Sequence, residues 1–135
     1  MKYDEFLKRR KDAGVACKHP PQHVESGIQR QIIAWFRLRY PGYIIAAVPN
    51  GGYRNAREAK IMKAEGVLAG FSDLVVIARG KVLFVEVKTQ KGRQSECQKL
   101  FQGKVENLGF SYCVCRSLDG FILSFEGWLK QNYMV

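Results

Sequence analysis

The stretch "DLVVIARGKVLFVEVKT" (Asp73–Thr89) predicts a β-hairpin, because two apolar runs lie on either side of a short turn at Arg79-Gly80. Side chains alternate across a strand, so Glu86 and Lys88 lie on one face of the second run and its valines lie on the other. An apolar strand of this kind is expected to be buried. Its acid and its base therefore need a chemical explanation.

The length of the turn predicts the register in which the two strands pair. A two-residue turn at Arg79-Gly80 places Asp73 directly opposite Glu86 on the same face, whereas a one-residue bulge at Gly80 would shift the pairing. Two facing carboxylates repel each other, and a divalent cation between them removes this repulsion, because Mg²⁺ accepts carboxylate oxygens. The two-residue turn thus predicts a carboxylate pair suited to a metal ion.

Lys88 lies two residues beyond Glu86 and is expected on the same side of the strand. There its ammonium group could hold an attacking water or stabilise charge that develops on a phosphate. The tripeptide E-x-K is common, however, and by itself it favours a salt bridge exposed on an edge strand.

Apolar periodicity and turn residues predict an α/β domain around a small mixed sheet, in the order α-α-β-α-β-β-α-β-α. The helix over 94–109 gives the connection after the hairpin crossover length, so the strands on either side of it are predicted to be parallel. One domain is expected: an N-terminal helix and Pro-rich connection over 1–21, a core over 22–118 and a C-terminal helix over 119–135.

The composition favours an anionic partner. The chain has 135 residues, with 22 Lys and Arg against 12 Asp and Glu, and a formal net charge of +10. Nucleic acid is the commonest partner of such a protein. A membrane surface is the competing partner, but the N-terminal helix has only a thin apolar stripe, and no apolar run approaches the roughly 20 residues of a spanning helix.

The cysteine pattern indicates a reducing compartment, and we expect the cytoplasm. No CxxC pair occurs, and free, mostly buried thiols are predicted. The segment "CKHPPQH" offers Cys17, His19 and His23 as zinc ligands, but it lacks a recognisable ligand spacing, so a connecting loop is the favoured interpretation. The four cysteines are Cys17, Cys97, Cys113 and Cys115.

Two motifs, "GFSD" (Gly70–Asp73) and "VEVK" (Val85–Lys88), together resemble the core of the PD-(D/E)xK nucleases. Further segments extend this resemblance to the VRR-Nuc branch, particularly its stand-alone, phage-type members, from about residue 22 to residue 118. The E-x-K tripeptide alone is a weak signal, whereas the ordered set is specific. The further segments are "ESGIQ" (Glu25–Gln29), "VPNGGYR" (Val48–Arg54), "AKIMKAEGVLAGFSDLVV" (Ala59–Val76) and "SECQ" (Ser95–Gln98).

The resemblance implies a restriction-endonuclease-like core that binds one or two Mg²⁺ or Mn²⁺ ions and needs no organic cofactor. Asp73 and Glu86 would be the side-chain metal ligands, and the backbone carbonyl of Val87 would be the remaining ligand that the protein supplies. Glu25 would approach the metal from the long helix, directly or through water. Without the resemblance, Glu25 is equally well explained as an ordinary acid in the first turn of a helix.

The resemblance also implies that Lys88 is the catalytic lysine and that Gln98 helps to place the water or the scissile phosphate. One position departs from the family pattern, because Ser72 stands where a proline usually precedes the acid. Proline supplies no ligand, so we expect only a change in local backbone stiffness.

A basic surface is expected beside the metal site, where it would grip DNA phosphates. A solvated basic face is the alternative explanation. None of these residues is expected to read base identity, so DNA shape or structure would determine recognition. The residues predicted to contact DNA are Asn50, Gly51, Gly52, Arg54, Arg57, Lys60, Lys63, Lys91 and Arg93.

Together these features predict a metal-dependent DNA endonuclease that recognises branched DNA, such as a four-way junction, rather than a base sequence. A homodimer would suit a symmetric junction, and the apolar last helix would supply either its interface or the core. If the chain is phage-encoded, the host cytoplasm is its expected location. The alternative is a non-catalytic, basic nucleic-acid-binding module that uses the same surface.

Overall fold

A computed structural model describes residues 22–49 and 55–131 of the chain. The predicted N-terminal helix and the segment from Cys17 to His19 lie outside these ranges, as do Asn50, Gly51, Gly52 and Arg54. The described elements are α1 (Gln22–Arg39), β1 (Ile44–Ala47), α2 (Ala56–Ala64), β2 (Leu74–Ala78), β3 (Lys81–Val87), α3 (Glu96–Asn107), β4 (Ser111–Cys115) and α4 (Leu118–Gln131).

The four strands form one mixed sheet in the order β1-β2-β3-β4. The pairs β1/β2 and β2/β3 are antiparallel, and β3/β4 is parallel, as the crossover through α3 predicted. Strand β3, which carries Glu86, therefore lies inside the sheet with a neighbour on each side. The α/β fold class and the mixed sheet are confirmed.

The hairpin turn has the predicted register. Arg79 and Gly80 have φ angles of 54° and 72°, as in the tight two-residue turns that match the twist of a hairpin. Ala78 consequently pairs with Lys81, and the ladder continues without a bulge to Leu74 and Val85. The next pair along this ladder is Asp73 and Glu86.

One face of the sheet packs against α1 and α4. Their buried aromatic and aliphatic side chains form the main core together with the inward residues of β2 and β3. The apolar surplus of α4 is used here, because Phe121, Phe125, Trp128 and Leu129 are all buried, whereas Leu123 is 77% exposed. The prediction that this helix supplies the core is confirmed, and these four side chains are not available for an interface.

The opposite face packs against α3 and the segment before β2. The rings of Phe71 and Phe101 are 4.4 Å apart, and Phe84 of β3 lies within 5.8 Å of both ring centroids. Gly70 has a φ of +83°, and a Cβ at this position would lie 2.4 Å from the Cys97 carbonyl carbon. The start of α3 therefore docks directly against the residues that lead into Asp73.

The connections around the predicted site leave from one end of the sheet. Strand β1 ends where β2 begins, since Ala47 pairs with Leu74, and β3 and β4 end together at Val87 and Cys115. Within residues 22–49 and 55–131, no helix has the length and apolar character needed to cross a membrane. Three cysteines in this part of the chain, Cys97, Cys113 and Cys115, are free thiols, as predicted.

The close contact at Gly70 predicts a substitution effect. Gly70→Ala should lower the free energy of unfolding by about 2–4 kcal/mol, because a left-handed backbone strain is added to a steric clash with α3. Gly109→Ala is the matched control: its φ is +89°, but a Cβ there meets nothing within 4 Å. It should cost only about 1–2 kcal/mol. Equal losses in urea unfolding would contradict the docking of α3 on Gly70.

Candidate active site

The two predicted metal ligands lie side by side at the end of the hairpin. Asp73 directly precedes β2, and its Oδ2 accepts a hydrogen bond of 2.8 Å from the Val87 backbone N–H. The carboxyl groups of Asp73 and Glu86 are within hydrogen-bonding reach of each other. Glu86 is only 1% exposed. The predicted carboxylate pair is therefore present in the structure, with Glu86 buried and Asp73 half-buried.

The electrostatics of this pair disfavour two negative charges. Burial raises the pKa of Glu86 well above its ordinary value, and the hydrogen bond and negative charge of Asp73 raise this pKa further. Lys88 and the Tyr112 hydroxyl offset part of the effect. Two ionised carboxylates at this spacing are unfavourable unless a cation shares them.

Lys88 lies beside this pair and is 2% exposed. Its backbone N–H donates to the Cys115 carbonyl at 2.9 Å, which extends the β3/β4 pairing, and its ammonium charge acts on Glu86 and Glu25. Glu86 and Lys88 are buried and belong to a strand inside the sheet. The alternative of an exposed salt bridge on an edge strand is therefore wrong.

Glu25 reaches the same site from the first turn of α1. Burial raises the pKa of Glu25; Lys88 counteracts this increase, while Asp73 adds to it. Its carboxylate accepts a hydrogen bond from the backbone of Thr89, but Oε1 is buried without any hydrogen-bond partner. Buried polar atoms are rarely left unpaired, so this oxygen is suited to a cation or to an ordered water.

The donor set fits a hard divalent cation. Asp73, Glu86 and Glu25 bring three carboxylates against the single ammonium group of Lys88, which leaves an excess of negative charge when all are ionised. Within residues 22–49 and 55–131, no group of three or more His, Cys, Asp or Glu side chains is arranged to hold a metal ion, so at most two of these carboxylates would bind it directly. Mg²⁺ often binds through only one or two carboxylates and keeps several waters, so a pair such as Asp73 and Glu86 would fit it as side-chain ligands.

Gln98 holds Glu86 in place. Ser95 and Gln98 form a capping box at the start of α3, in which the Gln98 Oε1 accepts a 2.8 Å hydrogen bond from the Ser95 N–H. The opposite end of the same amide therefore faces Glu86, and Nε2 donates to the Glu86 Oε1 at 3.0 Å. In this arrangement both polar atoms of Gln98 have protein partners.

The comparison with known families supports the same conclusion from the sequence as a whole. The VRR-NUC domain matches residues 23–119, which is most of the chain. This chain belongs to the VRR-NUC domain family. It therefore carries a nuclease domain, and the described carboxylate pair and lysine lie within the matched region.

Two solved structures share the fold of this VRR-NUC domain. A "VRR_NUC domain protein" is 24% identical, with a TM-score of 0.66 over 79% of this chain and 88% of its own. A second structure, titled "VRR_NUC domain", is 22% identical, with a TM-score of 0.55 over 76% of this chain and 95% of its own. Among curated proteins, none matches this sequence.

The position that departs from the VRR-NUC pattern is stabilised locally. Ser72 is fully buried, and its Oγ donates a 3.0 Å hydrogen bond to the Leu74 carbonyl. The hydroxyl thus has a partner inside the segment that leads into β2. The serine is compatible with the position of Asp73, as expected for a residue that supplies no ligand.

Two residues of this VRR-NUC domain were not anticipated from the sequence. The Tyr112 hydroxyl donates to the Glu86 Oε2 at 3.3 Å. The Arg116 Nη1 donates to the carbonyls of Thr89 and Gly92 at 2.7 and 2.6 Å, and so it holds the loop that follows Lys88. The contact of Tyr112 with Glu86 can be seen only once the β3/β4 register is known. No local motif indicates the contact of Arg116 with the loop.

The residues predicted to contact DNA that the structure describes are exposed and belong to connections at the site end of the sheet. Helix α2 buries none of its residues and lies in the connection between β1 and β2, and the loop after Lys88 carries the rest. These positions agree with a surface beside the site. The exposed basic residues predicted to contact DNA are Arg57, Lys60, Lys63, Lys91 and Arg93.

The close contact between Asp73 and the buried Glu86 predicts a stabilising substitution. Asp73→Asn can still accept the Val87 N–H through its amide oxygen, while its NH₂ group donates to Glu86 and the loss of its negative charge removes one cause of the destabilising rise in the Glu86 pKa. In metal-free buffer the free energy of unfolding should rise by about 1–3 kcal/mol. Added Mn²⁺ should then raise the melting temperature of the wild type but not that of the variant.

The control makes the same chemical change at an exposed acid. Asp119→Asn, in the first turn of α4, removes a charge that favours the helix dipole, so it should lower stability by at most about 1 kcal/mol. A metal-free Asp73→Asn protein that is less stable than the wild type would contradict electrostatic repulsion within the pair.

Proposed function

We propose that this VRR-NUC domain is a metal-dependent DNA endonuclease that hydrolyses phosphodiester bonds. The observation that carries the proposal is the placement of Asp73 beside the buried Glu86, with the buried Lys88 adjacent and an unpaired oxygen of Glu25 nearby. Mg²⁺ or Mn²⁺, one or two per site, fits these oxygens best. The backbone carbonyl of Val87 would be the further ligand.

Each side chain has a distinct part in this reaction. A divalent cation at the carboxylate pair would polarise the scissile phosphate and lower the pKa of the attacking water. Lys88 would donate to that water or to a phosphate oxygen, and its burial strengthens the interaction because little solvent screens its charge. Glu25 would orient the water, and Gln98 would keep Glu86 in a single orientation.

The proposed substrate is branched DNA, such as a four-way junction, bound through its phosphates. Support comes from the net charge of +10 and from the exposed basic residues at the site end of the sheet. A homodimer would place two active sites about a two-fold axis, which suits a symmetric junction. Because α4 buries its aromatic residues in the core, the dimer interface would lie elsewhere.

A non-catalytic DNA-binding module is the second candidate. It would use the same basic surface, but it would gain nothing from an acidic pair placed beside a buried lysine. Such a cluster lowers stability, and a cost of this kind is typical of active sites, where function needs the arrangement. The buried cluster therefore favours the enzyme.

A cleavage panel tests the proposal. Wild-type protein with Mg²⁺ or Mn²⁺ should cut at least one of four substrates (four-way junction, flap, linear duplex and single strand), and the junction should be cut fastest. Lys88→Met should reduce the rate by about 10²–10³-fold, the loss typical of removing one group that stabilises developing charge. Asp73→Asn should also be inactive although it remains folded.

The control is Lys104→Met, which removes an exposed lysine on α3 and should leave the cleavage rate unchanged. DNA binding, measured without metal, should persist in the Lys88→Met protein. A wild-type protein that binds these DNAs but cuts none of them with either metal would reject the enzyme in favour of the binding module.

A further inference from the structure

We infer that Tyr112 is a positioning residue for Glu86. It is the last member of a hydrogen-bonded chain of side chains that we call the Tyr112 relay (Gln102, Gln94 and Tyr112). This inference rests on the proposed function, because it concerns the ligand set of the same metal site. Tyr112 lies on β4, two residues before Val114, which pairs with Glu86 in the parallel register. Its side chain therefore shares a face of the sheet with Glu86.

The relay is continuous from α3 to the site. The Gln94 Nε2 donates to the Gln102 Oε1 at 2.9 Å and to the Tyr112 hydroxyl at 3.1 Å. The Tyr112 hydroxyl then donates to the Glu86 Oε2 at 3.3 Å. Three side chains from a helix, a loop and a strand thus form one chain of hydrogen bonds that ends at a single carboxylate oxygen.

The chemistry of the groups gives this chain a direction. A carboxylate that binds a cation is ionised and only accepts hydrogen bonds, so in that form the phenol of Tyr112 gives its one hydrogen to Glu86. The phenol oxygen is then free to accept from Gln94. The orientation of the Gln94 amide is set in turn, because Gln102 presents its own oxygen to the second hydrogen of the same NH₂ group.

The relay and the capping box hold Glu86 from two sides. Gln98 donates to Oε1 and Tyr112 donates to Oε2, so each oxygen of the carboxylate has one fixed donor. Rotation of the carboxyl group is thereby restricted, and the group presents one orientation to Asp73. A ligand that is already oriented loses less entropy on binding, and partners of this kind change metal affinity by about 10–100-fold.

The length of the hydrogen bond from Tyr112 to Glu86 makes it possible to distinguish a positioning role from a purely structural one. At 3.3 Å, the bond from Tyr112 to Glu86 is longer than a typical O–H···O bond, so its loss should hardly affect folding. The ring of Tyr112 makes its own contact with Phe101, at 6.3 Å between centroids, and Tyr112→Phe retains that ring. The hydroxyl is therefore open to a test of its own.

The experiment compares Mn²⁺ binding, by electron paramagnetic resonance or calorimetry, in wild-type and Tyr112→Phe protein. Tyr112→Phe should bind Mn²⁺ about 10-fold more weakly, at an unchanged melting temperature. Cleavage should need correspondingly more Mn²⁺ for half-maximal rate and should approach the wild-type rate at saturation. Gln94→Leu should shift the affinity in the same direction, and the double variant should add little to Tyr112→Phe.

Tyr43→Phe is the matched control, since its hydroxyl accepts from the Arg79 Nε at 2.8 Å at the turn end of the hairpin. Its Mn²⁺ affinity should equal that of the wild type. Unchanged affinity in Tyr112→Phe, with or without a loss of stability, would overturn the positioning role. If the wild type itself bound no Mn²⁺, the metal-dependent function would fail instead, and the two failures are distinguishable.

Discussion

The structure depends on one electrostatic constraint, the placement of two carboxylates opposite each other in a buried hairpin. The turn at Arg79-Gly80 imposes this constraint, because its two left-handed residues exclude a bulge and continue the ladder to Asp73 and Glu86. A slip of one residue would transfer Glu86 to the face that packs against α1 and α4. The hydrophobic core therefore enforces the register that creates the acidic pair.

The surrounding elements each bring a side chain into contact with that pair or close to it. Helix α1 adds Glu25, α3 supplies the amide of Gln98, and β4 contributes the hydroxyl of Tyr112. The donors to Glu86 are neutral groups from elements packed in the fold, so they orient the carboxylate without neutralising it. Lys88 is then left to balance the negative charge, together with a cation if the proposed metal-dependent function holds.

The predictable part of the site is the part encoded locally. The hairpin register follows from a two-residue turn, and the cap of α3 follows from the Ser-x-x-Gln pattern of "SECQ", although that pattern also shows that the Gln98 oxygen is engaged. Tyr112 could not be found in this way. No turn connects β3 to β4, so their parallel register depends on how α3 packs across the sheet, and that packing is a tertiary property. The contact of Arg116 with the loop after Lys88 could not be predicted either, because it depends on the path of that loop.

The central claim is that Asp73 and Glu86 together bind a divalent cation. The most direct measurement is a crystal structure of the wild-type protein soaked in Mn²⁺, with anomalous diffraction data. The account predicts a strong anomalous peak between the two carboxylates, within coordinating distance of both. Well-ordered Asp73 and Glu86 side chains without such a peak, or a peak bound only at a distant surface site, would contradict it.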